Sequence, residues 1–335
     1  MKRKKISLED IAERSNLVSA LHKAAKAKRH RDQVARFLHS AEESLNQIAR
    51  AILEERMPYG HFRDFVIYDP KQRTIHAACF EDRVFHHAIM NHAAPVLEQA
   101  MLPTTYACRP GMGVHLAAKK VQSHIRRYDW YGKIDIAGYF PSIDHAILRT
   151  ILLRRFKGAE FVRLLDRVIT CYEHSSGKGL PIGSLTSQYF ANYYLDGLDR
   201  LLDQDNSVRR HIRYMDDIVW WCDSKSQAMA VLERVQHFLN EQRQLQIKSG
   251  FQIQRSVQGI SYCGYRILPG VVLMSLRRKR RYQQRRLHWE RQYRLGLISA
   301  DELQNAYAAV HSVAQGTDSA AWRRCNLKHH PPVLS

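Results

Sequence analysis

Residues 211–222 read HIRYMDDIVWWC, and this run restricts the fold more than any other part of the chain. Ile212, Tyr214, Ile218, Val219, Trp220 and Trp221 favour a strand, whereas aspartate is disfavoured there. Asp216 and Asp217 are therefore expected at a tight turn, exposed at the tip of a β-hairpin over about 208–222. On these residues alone a solvated turn is the simpler account, because Asp is common in turns.

A second carboxylate changes the balance. In YGKIDIAGYF, strand alternation puts Ile134 and Ile136 on one face and Lys133 and Asp135 on the other. Asp135 thus leaves the core side at the end of an apolar strand. If that strand packs beside the 211–222 hairpin, Asp135 and Asp216 converge, and divalent cations would relieve their repulsion. Hard carboxylate oxygens suit magnesium, which keeps waters and binds substrate phosphates. Two such ions about 3.5–4 Å apart can activate an attacking hydroxyl and stabilise a departing pyrophosphate.

The rest of the chain is mixed α and β with antiparallel strands rather than regular βαβ alternation, an α+β pattern. Helical periodicity runs from about Leu8 to Met57, and HFRDFVIYDPKQRTIHA alternates around an Asp69–Pro70 turn as a second hairpin. Helices are expected near 80–100, 114–127, 144–156, 159–173, 184–203 and 224–240, with strands in 244–268 and basic helix from Ser275 onward. Among the 335 residues, 52 Lys and Arg face 32 acids, a net charge of +20 that calls for a polyanionic partner. There is no apolar run of about 18 residues, and MKRKKISLED lacks the apolar stretch of a secretory signal, so a cytoplasmic protein with no membrane association is expected. The six cysteines form no C-x-x-C pair and are expected to be buried, reduced thiols.

YMDD between apolar strands, preceded by DIAGYF and GLPIGSLTSQYFANYYL and followed by YCGYRI, resembles the palm of a reverse transcriptase over roughly residues 60–268. Four ordered blocks carry that resemblance. It implies a right-hand polymerase fold: a helical N-terminal region (1–57), fingers with part of the palm (58–130), a palm with a fingers insertion (131–268) and a basic helical thumb (269–335). Where most reverse transcriptases have Q-G-x-x-x-S-P, this chain has Ile182-Gly183-Ser184-Leu185-Thr186-Ser187-Gln188. That string, with TTYACRPGMGVH and FPSIDHA, is similar to the reverse transcriptases of diversity-generating retroelements. Such enzymes copy a template-repeat RNA into adenine-mutagenised cDNA that replaces part of a target gene, and they act with a small, basic accessory protein oligomer. A prokaryotic or phage origin goes with that group.

The resemblance also implies roles. Asp135 and Asp216 would be the main metal ligands for two Mg2+ ions, with Mn2+ as a substitute, Asp217 a lesser carboxylate, and the Ile136 carbonyl a further donor. Lys71 and Arg73 would meet the incoming dNTP triphosphate, Phe140 would exclude a ribose 2′-hydroxyl, and Ile182, Gly183 and Gln188 would lie over the nascent base pair. For Lys248, placed where a proton donor to pyrophosphate would sit, a solvated lysine is the simpler reading. Tyr262, Gly264 and Tyr265 match a primer grip. Arg277, Arg278, Lys279, Arg280, Arg281, Arg285 and Arg286 would meet phosphates of template RNA and cDNA or primer. On a helix, Tyr282, Arg286, Trp289 and Tyr293 share one face, for which core packing is the better reading of the aromatics.

Two further readings stay open. One is a group II intron or retron type reverse transcriptase; the short stretch after the thumb leaves little room for a maturase extension. The other is a catalytically idle RNA-binding scaffold, against which Asp135, Asp216 and Asp217 stand.

Overall fold

The computed structural model describes residues 2–56, 60, 62–68 and 72–332, apart from the Arg73 side chain. Strand β1 (Lys4–Lys5) precedes helices α1 (Leu8–Ala12), α2 (Arg14–Ala25), α3 (Asp32–His39) and α4 (Ala41–Leu53), then β2 (Phe62–Tyr68) and β3 (Gln72–Ala78). Helices α5 (Phe80–Ala100) and α6 (Val114–Ile125) lead to β4 (Trp130–Asp135), α7 (Tyr139–Ser142), α8 (His145–Leu153), β5 (Phe156–Lys157) and α9 (Ala159–Thr170). Next come α10 (Leu185–Tyr194), α11 (Asp196–Gln204), β6 (Arg210–Tyr214), β7 (Asp217–Cys222) and α12 (Lys225–Arg243). Last are β8 (Gln252–Arg255), β9 (Ile260–Tyr262), β10 (Tyr265–Ile267), β11 (Val272–Met274), α13 (Leu276–Arg294), α14 (Ala300–Ser312) and α15 (Ala320–His329).

Three details differ from expectation. The helix expected over 184–203 is interrupted at Leu195 into α10 and α11. The helix expected near 144–156 is the shorter α8, preceded by the single turn α7, and it opens at His145 because the Asp144 carboxylate accepts the Ile147 N–H at 3.0 Å, an N-cap bond. Strand β11 was not foreseen, since three residues are too few to display alternation. The described cysteines are all free, but only Cys222 is fully buried and Cys325 is exposed, which corrects the expectation of uniformly buried thiols. Among the described residues no helix is long and apolar enough to cross a membrane.

Two compact units divide the chain: residues 1–109, 135–201 and 233–249, and residues 110–134, 202–232 and 250–335. In the first, α5 is the central helix, with Val84, Phe85, Ala88, Ile89, Ala93 and Leu97 buried. Each such aliphatic or aromatic side chain larger than alanine contributes about 1.5–3 kcal/mol on burial. Asn16 of α2 fixes the register of that packing, donating to the carbonyls of Ile11 at 2.8 Å and Ala88 at 3.1 Å. Strands β2 and β3 form a separate antiparallel pair running from Phe62↔Ala78 to Tyr68↔Gln72.

The second unit is built on a four-stranded sheet of order β6-β7-β4-β8 and a three-stranded sheet of order β11-β10-β9. Trp220 and Trp221 of β7 are fully buried. Gly132 makes room for the first: a Cβ there would lie 2.2 Å from the Trp220 ring. A small residue in mid-strand is costly for the strand itself, and here the close approach of an indole requires it.

Candidate active site

Tyr214 pairs with Asp217 in the β6–β7 ladder, which leaves Met215 and Asp216 as the two turn residues. Met215 has a φ of 55°, a left-handed conformation that a residue with a Cβ adopts at some cost. The fully buried Arg213 holds this turn, donating from Nη1 to the Met215 carbonyl at 3.2 Å. Both aspartates are half-buried rather than exposed at a tip. The reason is the company Asp217 keeps. Lys133 Nζ lies 3.2 Å from Asp217 Oδ1, donates to the Ser261 carbonyl at 2.7 Å, and sits 5.7 Å from the centre of the Tyr262 ring. Tyr262 in turn donates its hydroxyl to the Asp217 carbonyl at 3.2 Å. Burial, with the Asp217 carboxylate nearby, pushes the Cys263 thiol well above its usual range, so that this sulfur stays protonated.

Asp135 closes β4 and belongs to the first unit, where its side chain is 45% exposed. Lys248 Nζ stands 3.8 Å from Asp135 Oδ2, and the Lys248 N–H donates to the Asp135 carbonyl at 2.9 Å. Ile136 is buried and bridges Ile247, and Ala137 N–H donates to the Gln246 carbonyl at 2.8 Å. The backbone after β4 is thereby pinned to residues 246–248. Among the described residues, no three His, Cys, Asp or Glu side chains are arranged to hold a metal ion. Asp217 is instead met by the ammonium of Lys133, and Asp135 by that of Lys248.

Phe140 is half-buried, while Tyr139 turns into the core and donates its hydroxyl to the Ala191 carbonyl. The Ile182 carbonyl accepts the His76 N–H of β3 at 3.2 Å, so the hairpin and this loop are joined by backbone. Gly183, at φ 112°, lies against Ile75: a Cβ there would be 3.3 Å from the Ile75 methyl. Gln188, half-buried on α10, accepts from the Cys108 thiol at 3.5 Å. Arg73 lies in β3, opposite Ile67; Lys71 and the Asp69–Pro70 turn are outside the described residues.

The primer-grip and thumb residues need correction in part. Tyr262 and Tyr265 are directly opposite in the β9–β10 pair and both point inward, 1% exposed, because facing positions of a hairpin share one side. What their turn exposes is Gly264, at φ 81°. Arg278 folds over it, stacking 4.0 Å from the Tyr265 ring centre and donating to Tyr265 Oη at 2.7 Å and the Cys263 carbonyl at 3.1 Å. Arg286 is 1% exposed and pairs with Glu290 at 2.8 Å while donating to the His330 carbonyl at 2.6 Å, so it braces the helices and presents nothing to a phosphate. Lys279 lies 5.5 Å from the Trp322 ring centre, and Arg277, Arg280, Arg281 and Arg285 are exposed. Sequence reasoning missed the Lys133–Asp217 pair, although alternation had already put Lys133 on the polar face.

A family model described as reverse transcriptase (RNA-dependent DNA polymerase) matches residues 69–267. Protein YkfC of Escherichia coli is 22% identical over 268 residues, which span 65% of this chain and 70% of YkfC. The group II intron-encoded protein LtrA of Lactococcus lactis is 24% identical over 140 residues, 40% of this chain but only 23% of LtrA. Apo telomerase from Candida tropicalis is similar in fold, with a TM-score of 0.51 at 9% identity over 81% of this chain and 60% of that one. With well over half its length matched by the model, the chain belongs to the reverse transcriptase family, the RNA-dependent DNA polymerases.

Proposed function

We propose that the chain is the polymerase of a diversity-generating retroelement, copying a template-repeat RNA into adenine-mutagenised cDNA at a site carried by Asp135, Asp216 and Asp217. Family membership implies template RNA, a primer and dNTPs as substrates. The observation that carries the site is the β6–β7 turn: a strained Met215, a buried Arg213 holding its carbonyl, and two half-buried aspartates kept in place at a sequence cost. Reverse transcriptases generally use divalent metals such as Mg2+. The donors here fit, being hard carboxylate oxygens, and magnesium takes one or two carboxylates plus water and substrate phosphate rather than a full protein cage. Asp135, Asp216, Asp217 and the Ile136 carbonyl would hold two ions, with Mn2+ as substitute. Bound there, the metal would lower the pKa of the primer hydroxyl and neutralise charge on the departing pyrophosphate.

The protein's own share is positioning and charge. Arg73 and Lys71 meet the triphosphate, Phe140 closes the space a 2′-hydroxyl would need, and the exposed arginines of α13 take duplex phosphates. Ile182 is tied to β3 through its carbonyl, so its side chain is not required for that contact. Its aliphatic group is proposed to lie against the nascent base pair. A polar contact there would reject misfits by leaving buried groups unpaired; an aliphatic one lowers that discrimination. A basic accessory oligomer would dock on the N-terminal helices, beside a cavity of about 960 Å³ of mixed charge, lined in part by Glu54, Glu55, Glu81 and Asp82 together with Arg50, Arg56 and Arg167.

The relatives favour one other reading, a group II intron type reverse transcriptase. Magnesium-dependent cDNA synthesis on a primed RNA template, with product sequencing and an Asp216→Ala, Asp217→Ala control, separates the two. Errors concentrated opposite template adenines support the retroelement; accurate product supports the intron type. Synthesis that survives the double substitution, with RNA binding intact, refutes the site.

A further inference from the structure

A two-stranded hairpin is marginal in water without support from elsewhere. In β2, Phe65 is 46%, Val66 43% and Tyr68 77% exposed, so the outer part of the β2–β3 hairpin gains little from burial. Its orientation therefore depends on its base, and there the side chains form a chain of polar contacts. Asp64 and His76 are direct cross-strand partners, with Asp64 Oδ1 2.7 Å from His76 Nδ1. His76 Nε2 lies 2.9 Å from the hydroxyl of Tyr172, which follows α9. The Tyr172 ring is 4.6 Å from the imidazole and 6.0 Å, edge on, from Phe62.

An ionised carboxylate only accepts, so Nδ1 carries a proton toward Asp64, and Nε2 shares a hydrogen bond with the Tyr172 hydroxyl. A carboxylate thus fixes the tilt of a histidine, which fixes a hydroxyl. The same residue joins the loop at Ile182 through its backbone N–H, and its neighbour Ile75 packs on Gly183. One residue, His76, therefore connects the hairpin, the end of α9 and the Ile182–Gly183 loop.

We propose that Asp64, His76 and Tyr172 form a positioning clamp that sets the β2–β3 hairpin against the Ile182–Gly183 loop and so tunes nucleotide discrimination. The second half of this rests on the proposed polymerase reading; the clamp itself does not. None of the three is a catalytic residue. They act through the hairpin and the loop, which bear on the incoming nucleotide.

Tyr172→Phe removes one hydroxyl and keeps the ring, and His76→Asn keeps a partner for Asp64 but cannot reach Tyr172. Each should raise the dNTP KM about fivefold, the value of one neutral hydrogen bond, and raise misincorporation, with kcat and Tm unchanged. Hydrogen exchange supplies a readout independent of activity: in both variants the amides of Ile75 and His76 should lose protection while those of α5 do not. Unchanged exchange at these amides overturns the clamp, whatever the polymerase assay shows. Lost protection with unaltered KM and misincorporation in a working polymerase overturns its role in discrimination. A wild-type protein that makes no cDNA strikes at the proposed function instead, and the exchange result still judges the clamp.

Discussion

Replacing Lys133 by Met asks whether an ammonium holds Asp217 where the sheet puts it. At the observed 3.2 Å, Coulomb attraction is about 5 kcal/mol at an effective dielectric near 20, and about 1.3 kcal/mol in bulk water. Side chains 14% and 18% exposed lie closer to the first limit. Desolvation of the two ions cancels much of this, leaving a net coupling of about 2 kcal/mol. The assay is a double-mutant cycle of wild type, Lys133→Met, Asp217→Asn and the double variant, each unfolded in urea. Lys133 also donates to the Ser261 carbonyl, and that loss is common to both legs, so it drops out of the cycle. The double variant should be more stable than the sum of the single losses predicts, because neither charge is then left facing a lost partner. A coupling below about 0.5 kcal/mol, within ordinary additivity, would refute the assignment.

Gly132→Ala should destabilise the sheet by about 1–3 kcal/mol or more, since its methyl would meet the Trp220 ring at 2.2 Å; thermal melting reads this, and an unchanged Tm would mean the indole can move aside. Arg286→Ala should cost about 3–5 kcal/mol in urea melts by stranding the buried Glu290, whereas Arg285→Ala should leave stability alone and weaken RNA binding with a shallower salt slope. Acid should destabilise the fold well above the carboxylate range. Burial, with His87 adjacent, lowers His86 to about 3, and burial lowers His87 and His124 to about 4. Folded values below the unfolded 6.5 mean the unfolded chain binds more protons, so this stability is complete above 6.5 and lost as pH falls below it. For His86 alone the loss between pH 7.5 and 5.5 is roughly 1 kcal/mol, measured as a difference in urea stability that His86→Gln should diminish.

Legibility in the sequence followed the range of the interaction that fixes each residue. The β6–β7 hairpin was readable because alternation and residue type are local, and so was α5, where apolar residues recur at helical spacing over many turns. Arg286 was misread although its signal was present. It shares a helix face with Tyr282 and Trp289, and that face is the core; density of charge on the other faces made every arginine of the run look like surface, even on the face where the aromatics read as core. Tyr262 and Tyr265 were assigned to a substrate for a similar reason: the two-residue turn between them makes them facing partners on the buried side, which no pattern of period two along one strand conveys. The partners of His76 lie twelve and ninety-six positions away, and only the folded chain brings them together.

The same distinction explains why two aspartates stand side by side in this hairpin. Successive residues at a strand end have different surroundings, since one belongs to the turn and the next to the ladder. Asp217 opens β7, and β7 neighbours β4, which carries Lys133; the strand order supplies the cation that makes a half-buried carboxylate tolerable there. Asp216 sits one position earlier, in the turn set by a left-handed Met215, whose carbonyl accepts from Arg213. The repulsion implied by DD in the sequence is therefore not met by a single device. Lys133 compensates Asp217 from within the sheet, while Asp216 belongs to the turn whose Met215 carbonyl Arg213 holds, so the two adjacent carboxylates have different surroundings.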